Sequence, residues 1–75
     1  MSVTITKILE ESLEKMVLIR LRGGKSLRGK LLGFDQHLNL VLGDADDIST
    51  PEKTQKLGTI IVRGDNVIIL SPPSR

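Results

Sequence analysis

The stretch VLIRLRGGKSLRGKLLGF, residues 17–34, limits what this chain can become more than any other. Val17, Ile19 and Leu21 alternate with basic residues, and after the break at GGK, Leu27, Gly29 and Leu31 alternate with Arg28 and Lys30. A period of two gathers apolar side chains on one side only if the chain is extended, so two strands are expected on either side of a turn. Residues that face each other across an antiparallel pair share one side of the sheet, so the register can be argued. A two-residue Gly-Gly turn would set Ile19 opposite Arg28. An odd loop, Gly23-Gly24-Lys25, sets Ile19 opposite Gly29 and Arg20 opposite Arg28. Only the odd loop keeps apolar with apolar. It also places the basic residues on one outer face.

The rest of the chain extends this pattern. TITKILEESL puts Ile5, Ile8, Leu9 and Leu13 at helical spacing, with charged residues opposite, and Thr4 or Ser2 can cap it. So short a helix does not hold alone and must lie on the sheet. LNLVLGDAD reads as a third strand, DISTPEKTQ as a polar loop, KLGTIIVR and NVIILS as a fourth and fifth strand joined by a Gly-Asp turn, and PPSR as an unstructured tail. Gly29, Gly33 and Gly43 fall inside strand patterns, where isolated glycines mark bends and bulges. The expected fold is mostly β: an N-terminal α-helix over about 4–14, then a five-stranded, strongly bent antiparallel meander over about 16–71. Residues 1–75 form a single domain, with 72–75 as the tail.

The last two strands do not alternate. Ile60, Ile61 and Val62 are apolar on both parities, as are Val67 to Leu70. An antiparallel strand with one wet face should alternate, so these strands call for cover on both faces. With 75 residues, one aromatic and no cysteine, the chain has an aliphatic core and no disulfide to brace it. Oligomerisation is the remaining remedy. Apolar edge strands that pair head to tail close a ring when the rotation allows. No run is long and apolar enough to cross a membrane, and none has the layout of a signal peptide. The absence of cysteine fits a reducing compartment, and a cytoplasmic location is expected.

Alternate turns of a meander lie at one end of its sheet. The Asp35-Gln36-His37 turn and the Gly64-Asp65 turn should therefore meet, with Gly23-Gly24 at the other end. The shared end collects Asp35, His37, Asn39, Arg63, Asp65 and Asn66. Catalysis is not supported: the one histidine has no serine near it in the pattern, and thiol chemistry is excluded. Asp35, His37 and Asp65 are a generic turn set rather than a metal site, and no cofactor is expected. The same residues suit a nucleobase. His37 and Arg63 present flat faces for stacking. Asn39 offers a donor and an acceptor side by side, which matches the N3–H and O4 of uracil. Cytosine would match the flipped amide, so a preference for uracil needs something to pin Asn39. Asp65, which when ionised can only accept, is the expected pin. Asp35 is expected to support the turn. Phe34 is expected to pack rather than stack.

From Lys15 to Lys30 the chain carries six basic residues and no acidic one, which suggests an anionic partner or a solvated face. Arg20, Arg22, Arg28 and Lys30 are the outer basic set.

These residues resemble the two motifs of the Sm/LSm family, and its archaeal Sm-like branch most of all. The first motif is similar to VLIRLRGGKSLRGKLLGFDQHLNLVLGDA, with Gly29, Gly33, Asp35 and Asn39 in the family pattern, and the second to KLGTIIVRGDNVIIL, with Arg63-Gly64-Asp65. The resemblance covers about residues 4–71. It implies the Sm fold, a small SH3-like barrel, with the fourth strand of one subunit pairing with the fifth of the next. It implies a homo-oligomeric ring, usually a heptamer, that binds uridine-rich single-stranded RNA around its pore. Carried over residue by residue, the RNA-binding set is His37, Asn39, Arg63, Gly64 and Asp65. Many relatives have an aromatic residue where this chain has His37. Two functions follow. One is a non-catalytic RNA-binding ring that serves as scaffold or chaperone in RNA processing. The other is a ring for assembly with RNA-processing proteins, in which RNA binding is incidental.

Overall fold

The computed structural model describes residues 4–73. One helix, α1 (Ile5–Ser12), precedes five strands: β1 (Met16–Leu21), β2 (Ser26–Phe34), β3 (Leu40–Asp47), β4 (Gln55–Val62) and β5 (Val67–Ser71). A single 3₁₀ turn, Gly64–Asn66, lies between β4 and β5. Ser2 and the end of the expected tail, Ser74 and Arg75, lie outside the described residues.

Thr4 caps α1: its hydroxyl oxygen accepts the Lys7 N–H at 3.1 Å. The helix ends before Leu13, short of the expected residue 14. Glu14 turns into the left-handed region (φ +67°), and its N–H donates to the Leu31 carbonyl at 2.7 Å. The sheet ladder thus takes over residues that a helix would otherwise use. Leu9 and Ser12 are the buried residues of α1, and the Ser12 hydroxyl donates to the Ile8 carbonyl at 2.8 Å. Ile5, expected on the buried stripe, is 62% exposed.

The alternation in β1 and β2 appears as burial. Val17, Ile19, Leu27 and Leu31 point inward, joined by Leu40, Leu42 and Val62 from β3 and β4. Truncating a fully buried residue such as Leu31 to alanine should cost about 2–5 kcal/mol. In β3 the inward parity switches from Leu40 and Leu42 to Ala45. Asp44, at φ +48°, marks the extra residue there, and the β3–β4 register shifts at the same place. Further shifts beside Gly29 and Gly33 bend β2 against β3.

The first hairpin departs from the expected register by two residues. Ile19 faces Leu27, and Arg20 faces Ser26. The turn starts earlier than expected: the Leu21 N–H donates to the Lys25 carbonyl (2.7 Å), and the Gly24 N–H to the Leu21 carbonyl (3.0 Å). The loop is therefore Arg22-Gly23-Gly24, with both glycines near φ +90°. Its length is still odd, so apolar still faces apolar.

The meander holds for β1 to β4 and fails for β5. The strand order is β4-β3-β2-β1-β5, with β5 antiparallel to β1, from Leu18 opposite Ser71 to Leu21 opposite Val67. The 3₁₀ turn carries the chain across the bent sheet rather than back along β4. This leaves β4 and β5 as the two open edges. Their apolar residues stay uncovered in the single chain: Ile61 is 74%, Ile68 57% and Ile69 52% exposed. Among the described residues no helix is long and apolar enough to cross a membrane.

Candidate nucleic-acid interface

The turn between β2 and β3 is organised by one carboxylate. Asp35 Oδ1 accepts the backbone N–H of His37 at 2.9 Å and that of Asn39 at 3.0 Å. Asp35 Oδ2 accepts the Asn39 side-chain Nδ2–H at 2.9 Å. The Asp35 N–H donates to the Asn39 carbonyl and the Leu38 N–H to the Asp35 carbonyl, which closes the turn with Leu38 left-handed at φ +64°. These donors, the Asn39 amide foremost, hold the Asp35 carboxyl below its ordinary value of 3.8.

The second turn meets the first. The Gly64 N–H donates to Asn39 Oδ1 at 2.8 Å. A side chain at 64 would collide with the His37 carbonyl oxygen and would stand 2.9 Å from the Leu38 carbonyl group, so glycine alone allows this approach. The carboxamide of Asn39 is thereby fixed from both ends, its nitrogen on Asp35 and its oxygen on Gly64. One N–H and one oxygen lone pair remain for a ligand. Asp35 is thus the pin, not Asp65 as expected. The Asp65 carboxylate faces the guanidinium of Arg63 instead, at 3.3 Å, with both side chains exposed. The difference is one of reach: Asp35 lies on the same turn as Asn39, while Asp65 points along its own.

His37 and Arg63 are exposed on these two adjoining turns. Phe34 is half-buried and packs against the core. A shallow groove of about 530 Å³ runs from Asn39 and Arg63 past Phe34 and Val41 to Ile61 on the β4 edge. Among the described residues no three His, Cys, Asp or Glu side chains gather as a metal site.

The outer basic set is divided by the structure. Arg28 pairs with Asp46 at 3.2 Å, and Arg20 is exposed. Arg22 belongs elsewhere. Its backbone N–H donates to the Asn66 carbonyl at 2.8 Å, and its guanidinium to the Asp65 carbonyl at 3.1 Å. The first hairpin therefore reaches the Gly64–Asn66 turn rather than standing at the far end. No spacing in the sequence signals this contact, because it depends on β5 lying beside β1.

A helix on a strongly bent five-stranded sheet, with a DxxxN turn locked onto an RGD turn, defines the Sm type of architecture. The chain belongs to the LSM domain family, whose model matches residues 7–72. An Sm-like protein of Thermococcus kodakarensis is 51% identical over 65 residues, covering 87% of this chain and 86% of the relative. A chain of P. aerophilum SmAP1, solved as a heptamer, superimposes with a TM-score of 0.90 at 41% identity, covering 100% of both chains. The Pyrococcus abyssii Sm protein, solved in complex with a uridine heptamer, gives a TM-score of 0.87 at 42% identity, over 95% of this chain and 100% of that one.

Proposed function

We propose that this protein forms a homo-oligomeric ring, a heptamer by likeness to its relative, and binds uridine-rich single-stranded RNA through one slot per subunit. The observation that carries the reading is the Asn39 carboxamide, held in one orientation by Asp35 and Gly64. In that orientation its oxygen meets uracil N3–H and its free N–H meets a uracil carbonyl. Cytosine, with a bare N3 acceptor, meets the wrong atom. His37 and Arg63 stand on either turn with flat faces for the base. Asp65 faces Arg63 on the same turn, and Gly64 lets the turns touch. The complex of the Pyrococcus abyssii relative with a uridine heptamer supports the choice of ligand.

Assembly follows from the edges. β4 and β5 are open, and Ile61, Ile68 and Ile69 on them are exposed. An apolar groove of about 320 Å³ between α1 and β5, lined by Ile5, Ile8, Leu38 and Ile68 among others, lies open beside one edge. Pairing β4 of one subunit with β5 of the next covers these surfaces. The protein then acts as a cytoplasmic, non-catalytic scaffold or chaperone in RNA processing.

A native mass spectrum with a uridine heptanucleotide, beside an adenosine control, tests both halves. A closed ring that takes up oligo(U) over oligo(A) is expected. A ring indifferent to both would favour the protein-assembly role, and a monomer would remove the edge-strand account. One slot is weak and several linked slots are strong, so a dinucleotide should bind far more weakly than a heptanucleotide.

A further inference from the structure

We infer that Arg22 is a positioning residue for the uracil slot: it holds the 63–66 turn so that Gly64 keeps the Asn39 carboxamide in place. The inference rests on the RNA reading above. Arg22 stands just past β1, where the β1–β5 register slips between Arg20 and Leu21. Its two donors, the backbone N–H and a guanidinium N–H, go to successive carbonyls, those of Asn66 and Asp65. Both acceptors belong to the short turn whose first residue, Gly64, donates to Asn39 Oδ1.

That turn has little to fix it from within. It is three residues long and has no side-chain cap, and two short-range backbone bonds close it, Asn66 N–H to the Arg63 carbonyl and Val67 N–H to the Gly64 carbonyl. The Asp65–Arg63 pair is exposed on both sides, and such pairs fix little. The turn therefore takes its position from outside, from Asn39 on one flank and Arg22 on the other. A guanidinium suits this work, since its planar fork carries several donors on a pre-organised frame. Arg22 thus leaves the outer basic surface and joins the site without touching the base.

The variant Arg22→Met keeps the stem and the backbone bond and removes the guanidinium. Heptanucleotides of uridine and of cytidine are titrated on the assembled ring over a range of salt. Oligo(U) affinity should fall about three- to tenfold, the loss expected for one ordinary, solvent-exposed hydrogen bond. The preference for U over C should narrow without vanishing, because Asp35 still holds the amide nitrogen. The slope of affinity against salt should stay as in the wild type, because no phosphate contact is lost. Arg22→Lys should recover part of the affinity.

A slope shallower by roughly 0.7 for each lost phosphate contact, with the U preference intact, would make Arg22 an RNA ligand and overturn the proposal. Unchanged affinity and preference would overturn it too. Hydrogen exchange of the Gly64 amide reads the same link without RNA. It should be faster in Arg22→Met, and an unchanged rate contradicts the proposal. If the wild type bound no oligo(U), the RNA reading would fail, while faster Gly64 exchange would still support the link.

Discussion

The two turns that build the site are held in opposite ways. The 35–39 turn is self-contained: one carboxylate binds two backbone amides and the Asn39 side chain, all within five residues. The 63–66 turn is borrowed. Its Gly64 amide rests on Asn39, and its Asp65 and Asn66 carbonyls rest on Arg22, across separations of 25 and 43 residues for the two side-chain bonds. A site of this kind has a rigid half, fixed by local chemistry, and a dependent half, fixed by the bent sheet that places β5 beside β1. The rigid half aims the amide. The dependent half brings Arg63 beside it and locks the amide oxygen.

The largest break in this arrangement should come from Gly64→Ala. The new methyl would meet backbone atoms of His37 and Leu38, which cannot rotate away. Forcing the turns apart should cost about 1–3 kcal/mol of stability by thermal or denaturant melts, as overpacking usually does. Oligo(U) binding should be lost with it. Next comes the double substitution His37→Ala/Arg63→Ala. Both side chains are exposed, so ring assembly should persist by native mass spectrometry, while heptauridine binding weakens more than tenfold. Base stacking is worth about 1–3 kcal/mol for each base. A cellular phenotype that survives this loss would move the function to protein assembly.

The smallest effect is acid. The Asp35 carboxyl is held below its ordinary 3.8 in the folded chain. A group depressed in this way stabilises the turn above that value and loses its contribution as pH falls through the folded pKa. The Asn39 side-chain amide signals should therefore stay constant down to about pH 4 and move only below 3.8. Asp47 is lowered by the hydroxyl and N–H of Ser49, so the loop after β3 should follow the same sign. The 63–66 turn, whose Gly64 amide rests on Asn39, should follow when the first turn lets go of Asn39.

The division between local and borrowed structure also explains what can be read from the sequence. β2 runs from Ser26 to Phe34, matching the SLRGKLLGF pattern, because alternation and a flanking glycine turn are local signals. The apolar doubling of β4 and β5 is legible as a need for cover. Their placement on opposite edges is implied by the family resemblance but not by the residues themselves, since nothing near Gly64 distinguishes a hairpin from a turn that crosses the sheet. The two-residue slip in the first hairpin has a similar cause: parity is encoded in the alternation, but the first residue of the loop is not. At the site, the residues are legible and their wiring is not. Asp35, two positions before His37, is a turn-forming carboxylate by spacing alone. Which of Asp35 and Asp65 reaches the Asn39 amide, and that Arg22 reaches Asp65, depend on the closed sheet.

The central claim is that Asp35 orients Asn39 to read uracil. It is tested most directly by the relative affinity of the ring for heptauridine and heptacytidine in Asp35→Asn beside Asp65→Asn. An amide at position 35 can present either a donor or an acceptor to Asn39, so Asp35→Asn should lose most of the preference for U over C. Asp65→Asn should keep it. If Asp65→Asn erased the preference and Asp35→Asn left it whole, the pin would be Asp65, and Asp35 would do no more than close its own turn.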